Sequence, residues 1–447
     1  MTDHSLTPRK PISWSTFPWW VKLLVILAVG YSVAHLGYSM WRYTIFSSDL
    51  YRSRDFERVF VQADIWRQTG VLPPFGMVLY PPLYYLLLAP LTNLGFRTVT
   101  YLLYVLQFIY FPLALVFLVK AASPARTPSA IEYLIAAVLT VNFQPFLETL
   151  AQHKVEGIEL LLICLALYAF RKHRDVLAGS LVCVAANLKF LPGVLAGYFV
   201  VKREWKAMFG VLGTLLVCAL VLLPAFGMQV LWSYGVQYPM TFLFGHSIPG
   251  TKAEANLEFQ SLTGTINRWF VGPEGMAHHV RTQGDVPIAH APLAFSLAAI
   301  LKAIFGGLYL LLMVRRPSRP ASREERWECT LLEWSLTLLM IFVLASAARI
   351  HYAILLLPAF VITAFLLYHH PQLFRWKERL LFALAYSMTG MLIPGGVLNR
   401  LPPHPLWGTK HSLAYLWMSF PFYGDLLLGL CMILCYRKLE RLGRRGA

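Results

Sequence analysis

The apolar runs decide what this chain can be. Stretches long enough to cross a bilayer recur from end to end, from Val21–Phe46 through Val99–Leu118 and Pro292–Val314 to Leu413–Cys435. In lipid, only α-helices or a closed barrel can satisfy their own backbone groups. Continuous apolar runs without two-residue alternation exclude the barrel. Composition agrees: charged residues make up 14% of the chain, against roughly 25% in soluble domains. An all-α polytopic membrane protein is expected, as one membrane-embedded domain over residues 1–447.

The net charge of +17 could suggest a nucleic-acid partner, but its placement argues against one. Basic residues gather in short loops between apolar runs: Arg171, Lys172 and Arg174; Lys202 and Arg203; Arg315 and Arg316; Arg375 and Lys377; and Arg437 to Arg445. That is the positive-inside pattern, which puts those loops and both termini on the cytoplasmic side. The basic start, with Arg9 and Lys10 ahead of the first apolar run, is expected to be a retained anchor. The six cysteines lie in or beside spans without metal-type spacing, so buried thiols are expected rather than disulfides.

About twelve spans are expected, with two large outer loops at residues 47–79 and 225–291. Tyr80–Leu94 is short for a crossing and is expected to be a half-helix returning to the outer face. Val176–Lys189 and Leu191–Val201 are also short, and Pro192 breaks the helix between them. They are expected to form a hairpin with Lys189 near its tip. The second outer loop is too long for a mere connection and is expected to fold over a site.

Charged residues at the outer edge are the candidates for chemistry. The first outer loop holds Asp49, Asp55 and Asp64, in a chain with only 22 carboxylates. Phe56, Val59, Phe60, Ala63 and Trp66 recur at helical spacing, so an amphipathic interfacial helix over about Phe56–Thr69 is expected. Asp55 stands where it can be a general base, an N-cap, or both. Asp64, nine residues on, falls on the opposite helix face at about 100° per residue. Further along come Lys154 and Glu156, then Lys189, then Gln260, Ser261 and Arg268 in the second outer loop, then Arg349 and His351. Charges at membrane depth carry a function or a partner. The structural alternatives are a Lys154–Glu156 or Lys154–Glu148 pair, a snorkelling Lys189, ordinary loop hydrogen bonding for Gln260, Ser261 and Arg268, and an aromatic-belt and helix-end role for Arg349 and His351. Lys302 and Glu333 are expected to pair with each other.

In order and spacing these pieces resemble the GT-C class of glycosyltransferases, and most closely their family 87. The resemblance rests on Asp55-Phe56, the amphipathic helix ending at Gly70, and Tyr80-Pro81-Pro82. It continues in the Lys189 to Pro192 helix ending, Gln260-Ser261-Leu262 with Arg268 downstream, and His351-Tyr352 before the span that holds Pro358. The chain departs from the family where His153-Lys154 replaces a Gly-Gln, and where Phe259 replaces an Asn. The resemblance implies a GT-C-like bundle that moves a sugar, mannose in the better-known members, from a polyprenyl phosphate to a lipid or glycan acceptor with inversion. The implied setting is the outer face of a bacterial cytoplasmic membrane. Asp55 would be the base, with Asp49 second. Lys189, Lys154, Glu156, Gln260, Ser261, Arg268, Arg349 and His351 would bind substrate. Cation clamps can replace a metal on a leaving phosphate, so no cofactor and no required metal is expected, although a divalent cation stays open. The alternative is a transporter or flippase of lipid-linked sugars, which predicts paired halves with matching broken helices. The Lys189–Pro192 hairpin has no counterpart in the second half, which weighs against that reading. A scaffolding subunit would need no charges near the outer leaflet.

Overall fold

The computed structural model describes residues 19–40, 54–72, 80–124, 127–152, 154–237, 239–240, 254–255, 259–272, 275, 278, 286–288, 290–314, 323–346, 348–392, 398–402 and 411–445. Helices dominate them. The first ten are α1 (Trp19–Met40), α2 (Arg54–Thr69), α3 (Pro82–Leu88), α4 (Phe96–Ala122), α5 (Ala130–Val141), α6 (Gln144–Ala151), α7 (Glu156–Arg171), α8 (Asp175–Leu188), α9 (Val194–Lys202) and α10 (Trp205–Trp232). A short loop helix, Leu262–Trp269, and a two-stranded ribbon of Glu254–Ala255 with Val286–Pro287 follow. The C-terminal half continues with Ala291–Val314, Arg323–Leu344, the 3-10 turn Ile350–Leu356 running into Leu357–His369, Trp376–Thr389, His411–Trp417 and Phe420–Arg445.

Among the described residues six helices are long and apolar enough to cross a membrane, or seven if the bent pair α5 and α6 is one span. The protein is an integral, multi-pass membrane protein. Its span count by length and composition falls short of the twelve expected. The difference lies mainly in α7, α8, α9 and Trp376–Thr389, which have 16, 14, 9 and 14 residues. At about 1.5 Å per residue none of these matches a hydrocarbon core of about 30 Å. The expected outer loop at residue 225 also starts later than anticipated, because α10 resumes after a break at Gly227 and runs to Trp232.

Two helices face outward along most of their length: α10 and Ala291–Val314 each bury 11% of their apolar window, whereas Arg326–Leu344 and Ile350–His369 each bury 83%. The last two form the centre of the bundle. Phe170, Phe199 and Trp334 fill the space around it, with both phenyl centroids 5.8 Å from the indole. Inside a bilayer this close packing, rather than escape from water, holds helices together.

The amphipathic outer helix forms as its periodicity predicts. Phe56, Val59, Phe60 and Ala63 are buried, while Glu57, Arg58 and Arg67 are exposed. The buried face meets Phe96 at the start of α4, with ring centroids 5.7 Å from Phe56 and 5.3 Å from Phe60. Trp66 stacks on Phe226 of α10 at 4.4 Å. Burying each large side chain of this stripe contributes roughly 1.5–3 kcal/mol where the alternative is water. Gly70, at φ 70°, ends the helix, its N–H bonded to the Trp66 carbonyl at 2.7 Å. The helix starts at Arg54, so Asp55 stands in its first turn rather than at the cap position expected for it. A carboxylate there still suits the helix dipole.

Candidate functional site

α3 begins at Pro82 because proline is pre-set for a first helical turn and needs no N–H partner there. It has seven residues and passes into the 3-10 turn Ala89–Leu94, too short to cross and consistent with the half-helix expected. Its entry places Tyr80 and Tyr84 inside the bundle. Pro192 acts in the opposite sense at the end of α8, where Lys189 turns extended at φ −160° and ψ 123° and the chain reverses through Leu191–Gly193. Lys189 is therefore at a hairpin tip, as its sequence indicated.

It is not waiting there for an outside anion. The Lys189 ammonium donates to Glu156 Oε1 at 2.5 Å, from the start of α7. The rings of Tyr352 and Tyr80 flank it, with centroids 3.8 and 5.0 Å away. His351 Nε2 lies 3.2 Å from the same Glu156 oxygen. Lys154 Nζ lies 3.2 Å from His351 Nδ1 and 3.0 Å from Nε2. A neutral tautomer with Nδ1 accepting from Lys154 and Nε2–H donating to Glu156 accounts for the Nδ1 and Glu156 contacts, and leaves Lys154 close to Nε2 without a hydrogen bond there. Two ammonium groups and an imidazole thus gather around Glu156, and all four side chains are buried.

The cluster lies beside the middle of α4. Gly157 packs directly against the Tyr110 and Phe111 rings of α4, and a Cβ there would collide with Tyr110. Tyr110 is about 18 Å from the Ala122 end of a helix about 40 Å long, at 1.5 Å per residue. The outer helix roofs this region: its buried residues share one apolar cluster with Val155, Leu188, Tyr80 and Tyr85. Asp55 opens that helix, and the position of its side chain lies outside the described residues. Asp49 and His153 lie outside them altogether.

The second outer loop reaches the same end of the bundle. Phe259 bridges Arg349 in antiparallel fashion, two residues before His351. Ser261 caps the loop helix by accepting from the Gly264 N–H at 3.2 Å, and its hydroxyl donates to the Ser346 carbonyl at 3.2 Å. Gln260 donates to the Leu416 carbonyl at 2.8 Å. Arg268 is buried, and its guanidinium donates to the carbonyls of Trp417 at 2.9 Å and Phe259 at 2.7 Å and to Ser419 Oγ at 2.5 Å. Burial pushes this guanidinium down to about 9, which keeps it charged at neutral pH. In this structure the expected phosphate clamp and sugar ligands thus pin the loop to the C-terminal helices.

Two further expectations resolve differently. Glu333 pairs with Lys202 at 2.5 Å rather than with Lys302, and also accepts from Tyr198 and Tyr436, each at 3.2 Å. Asp64 is held by Arg67 at 2.8 Å on the exposed face of the outer helix, and that hydrogen bond lowers its carboxyl below the usual range. Glu159 was not anticipated. It is one turn from Glu156 and fully buried, and neither oxygen has a hydrogen-bond partner. The Glu-x-x-Glu spacing inside an apolar helix was the signal for it.

The described residues form a multi-pass bundle with buried lysines, a histidine and glutamates gathered beneath an amphipathic helix. The chain belongs to glycosyltransferase family 87, whose profile matches residues 79–340, more than half of the sequence. No curated protein matches it significantly. It is a membrane glycosyltransferase. The matched region contains Lys154, Glu156, Glu159, Lys189, Gln260, Ser261 and Arg268. It begins after Asp49 and Asp55 and ends before Arg349 and His351.

Proposed function

We propose that this enzyme transfers mannose from a polyprenyl-phosphate donor to a lipid or glycan acceptor at the outer face of a bacterial cytoplasmic membrane. The observation that carries this reading is the convergence of Lys189, Lys154 and His351 inside the bundle, under the helix whose first turn holds Asp55. An ammonium has three N–H donors, so Lys189 can keep its bond to Glu156 and still donate to a phosphate oxygen. The acceptor hydroxyl attacks the anomeric carbon while the bond from that carbon to the phosphate oxygen breaks. The proton passes to Asp55, or to Asp49 in the second assignment, and the carrier leaves as polyprenyl phosphate. Direct displacement inverts the anomeric centre. Cations aimed at the departing phosphate stabilise charge where it develops, so no metal is invoked. Arg349 adds a cation beside His351, and Gln260 and Ser261 close the outer side.

Sugar transfer from a synthetic polyprenyl-phosphate mannose by the purified protein in nanodiscs tests the reading. Transfer with inversion is expected, and transfer only from a nucleotide sugar would overturn it. Orientation has a separate test: a cysteine replacing His173 should react with impermeant reagents only from the cytoplasmic side.

A further inference from the structure

Beside the cation cluster lies a second polar group, shared among α3, α4 and α7. Gln107 of α4 is 1% exposed, and neither its amide nitrogen nor its amide oxygen has a hydrogen-bond partner. Glu159 of α7 is 0% exposed with both carboxyl oxygens unpartnered, and Oε2 of Glu156 is likewise unpartnered. These residues belong to one region. Tyr110 stands beside Gln107 and within electrostatic reach of Tyr84 and Glu156. Tyr84 in turn stands within reach of Glu156, Lys189 and Glu159. Buried polar atoms are almost always hydrogen-bonded, and those that are not call for a missing partner. The Gln107 amide, beside Tyr110, and the three carboxyl oxygens on the facing helix call for a partner that both donates and accepts. Tyrosine rings beside them offer apolar faces. A polyhydroxylated ring has both properties, and an acyl chain has neither.

We infer that Gln107, Glu159 and the free oxygen of Glu156, walled by Tyr84 and Tyr110, form the compartment that binds the hydroxyls of the transferred sugar. This rests on the donor reading for its link to the cation cluster, but the compartment itself stands on the unpartnered atoms. It explains why a chain would keep a costly buried carboxyl: its oxygens are satisfied only when the sugar is present. A site built to hydrogen-bond hydroxyls also rejects analogues that lack them.

The test uses the full chain in lipid nanodiscs, with Gln107→Leu and Glu159→Leu beside the wild type. The probes are a short-chain polyprenyl phosphate with and without mannose, and an alkyl mannoside. Glu159→Leu removes an unpaired buried carboxyl, so the unliganded variant should melt no lower than wild type. Affinity for the sugar-free phosphate should stay within about twofold in both variants. The preference for the mannosylated phosphate over the sugar-free one should fall about threefold to tenfold in each variant, since each loses neutral hydrogen bonds to the sugar worth that much. Alkyl mannoside binding should fall with it. An unchanged preference in both variants would overturn the compartment and leave a chamber that holds only water. Loss of sugar-free phosphate binding with the preference intact would also overturn it, placing these residues in the anion site. Wild-type binding of the alkyl mannoside but of neither phosphate, lost in both variants, would support the compartment while rejecting the polyprenyl-phosphate donor.

Discussion

The two ends of the bundle treat charge in opposite ways. At the basic end four buried carboxylates among the described residues each have a base from another segment: Glu132 with His369 at 3.0 Å, Glu328 with His370 at 2.8 Å, Glu333 with Lys202 at 2.5 Å, and Glu378 with Lys438 at 2.7 Å. Arg171 adds bonds to the Lys120 and Ala121 carbonyls at 2.6 and 3.0 Å, tying α7 to the end of α4. At the site end, Lys189 and His351 converge on one oxygen of Glu156, and Glu159 has no partner at all. One-to-one pairs between neighbouring helices fix how the helices meet. A crowd around one carboxylate beside an unmet one leaves binding capacity. The contrast predicts that substitutions at the basic end change stability alone, while those at the site end change chemistry as well.

The largest effect is expected above the site. Asp55→Asn should lower the transfer rate about 10²–10⁴-fold, the usual contribution of a general base. Because Asp55 is in the first helical turn, the change should cost only about 0.3–1 kcal/mol of dipole stabilisation. Transfer kinetics with parallel thermal unfolding separates the two. An active Asp55→Asn enzyme beside an inactive Asp49→Asn would move the base to Asp49.

Next come the ion pairs, where the contrast between the ends is most direct. Lys189→Met leaves Glu156 buried without its main counter-charge, and Lys202→Met does the same to Glu333. Each should destabilise by about 3–5 kcal/mol. The double variants divide the ends. Lys189→Met with Glu156→Leu should regain most of the stability and remain inactive. Lys202→Met with Glu333→Leu should regain stability and transfer sugar normally. A site-end double variant with normal turnover would make the Lys189 pair purely structural and remove the contrast.

The sequence carried the local features well and the long-range ones poorly. The buried stripe of the outer helix was legible because Phe56, Val59, Phe60 and Ala63 follow the helical period, which depends only on neighbours along the chain. The Lys189 tip was legible because Pro192 stops a helix wherever it stands. The partner of Lys189 was not, because Glu156 is 33 residues away and meets it only through the packing of α7 on α8. The same limit misdirected Lys302 and Glu333: both interrupt apolar runs, but Arg323–Leu344 packs on α9, which brings Lys202 to Glu333. Hydropathy and length together marked Tyr80–Leu94, Val176–Lys189 and Leu191–Val201 as short, but read α7 and Trp376–Thr389, of 16 and 14 residues, as full spans. Arg268 was legible as important but not as to role, because its acceptors are carbonyls of Phe259 and Trp417 that no side-chain pattern announces.

A smaller effect is expected in the second outer loop. Ser261→Ala removes the cap of the loop helix and should cost about 0.5–2 kcal/mol, read as a lower unfolding temperature. If Ser261 also binds sugar, the Michaelis constant for donor will rise as well; if it only pins the loop, transfer by the folded enzyme will be unchanged.

The smallest effect belongs to Asp64, and it tests whether position on the outer helix, rather than mere acidity at the membrane surface, matters for catalysis. Asp64 lies nine residues from Asp55, so the two positions fall on opposite faces of one helix. Its oxygens already accept from Arg67 at 2.8 Å and Gln68 at 2.7 Å, and Arg67 also reaches Thr92 at 2.9 Å. Exposed ion pairs of this kind contribute little and are screened by salt. Because Arg67 holds the folded carboxyl below its ordinary value of 3.8, its contribution is present at neutral pH and is lost only as the pH falls through that lowered value. Asp64→Asn should therefore leave transfer at neutral pH within about twofold of wild type, with unfolding nearly unchanged and its acid limb slightly flattened. Transfer assays at low and high salt, run beside Asp55→Asn, make the comparison. Equal losses in both variants would mean that the outer helix attracts substrate through its overall charge, and no single aspartate on it would then be the base.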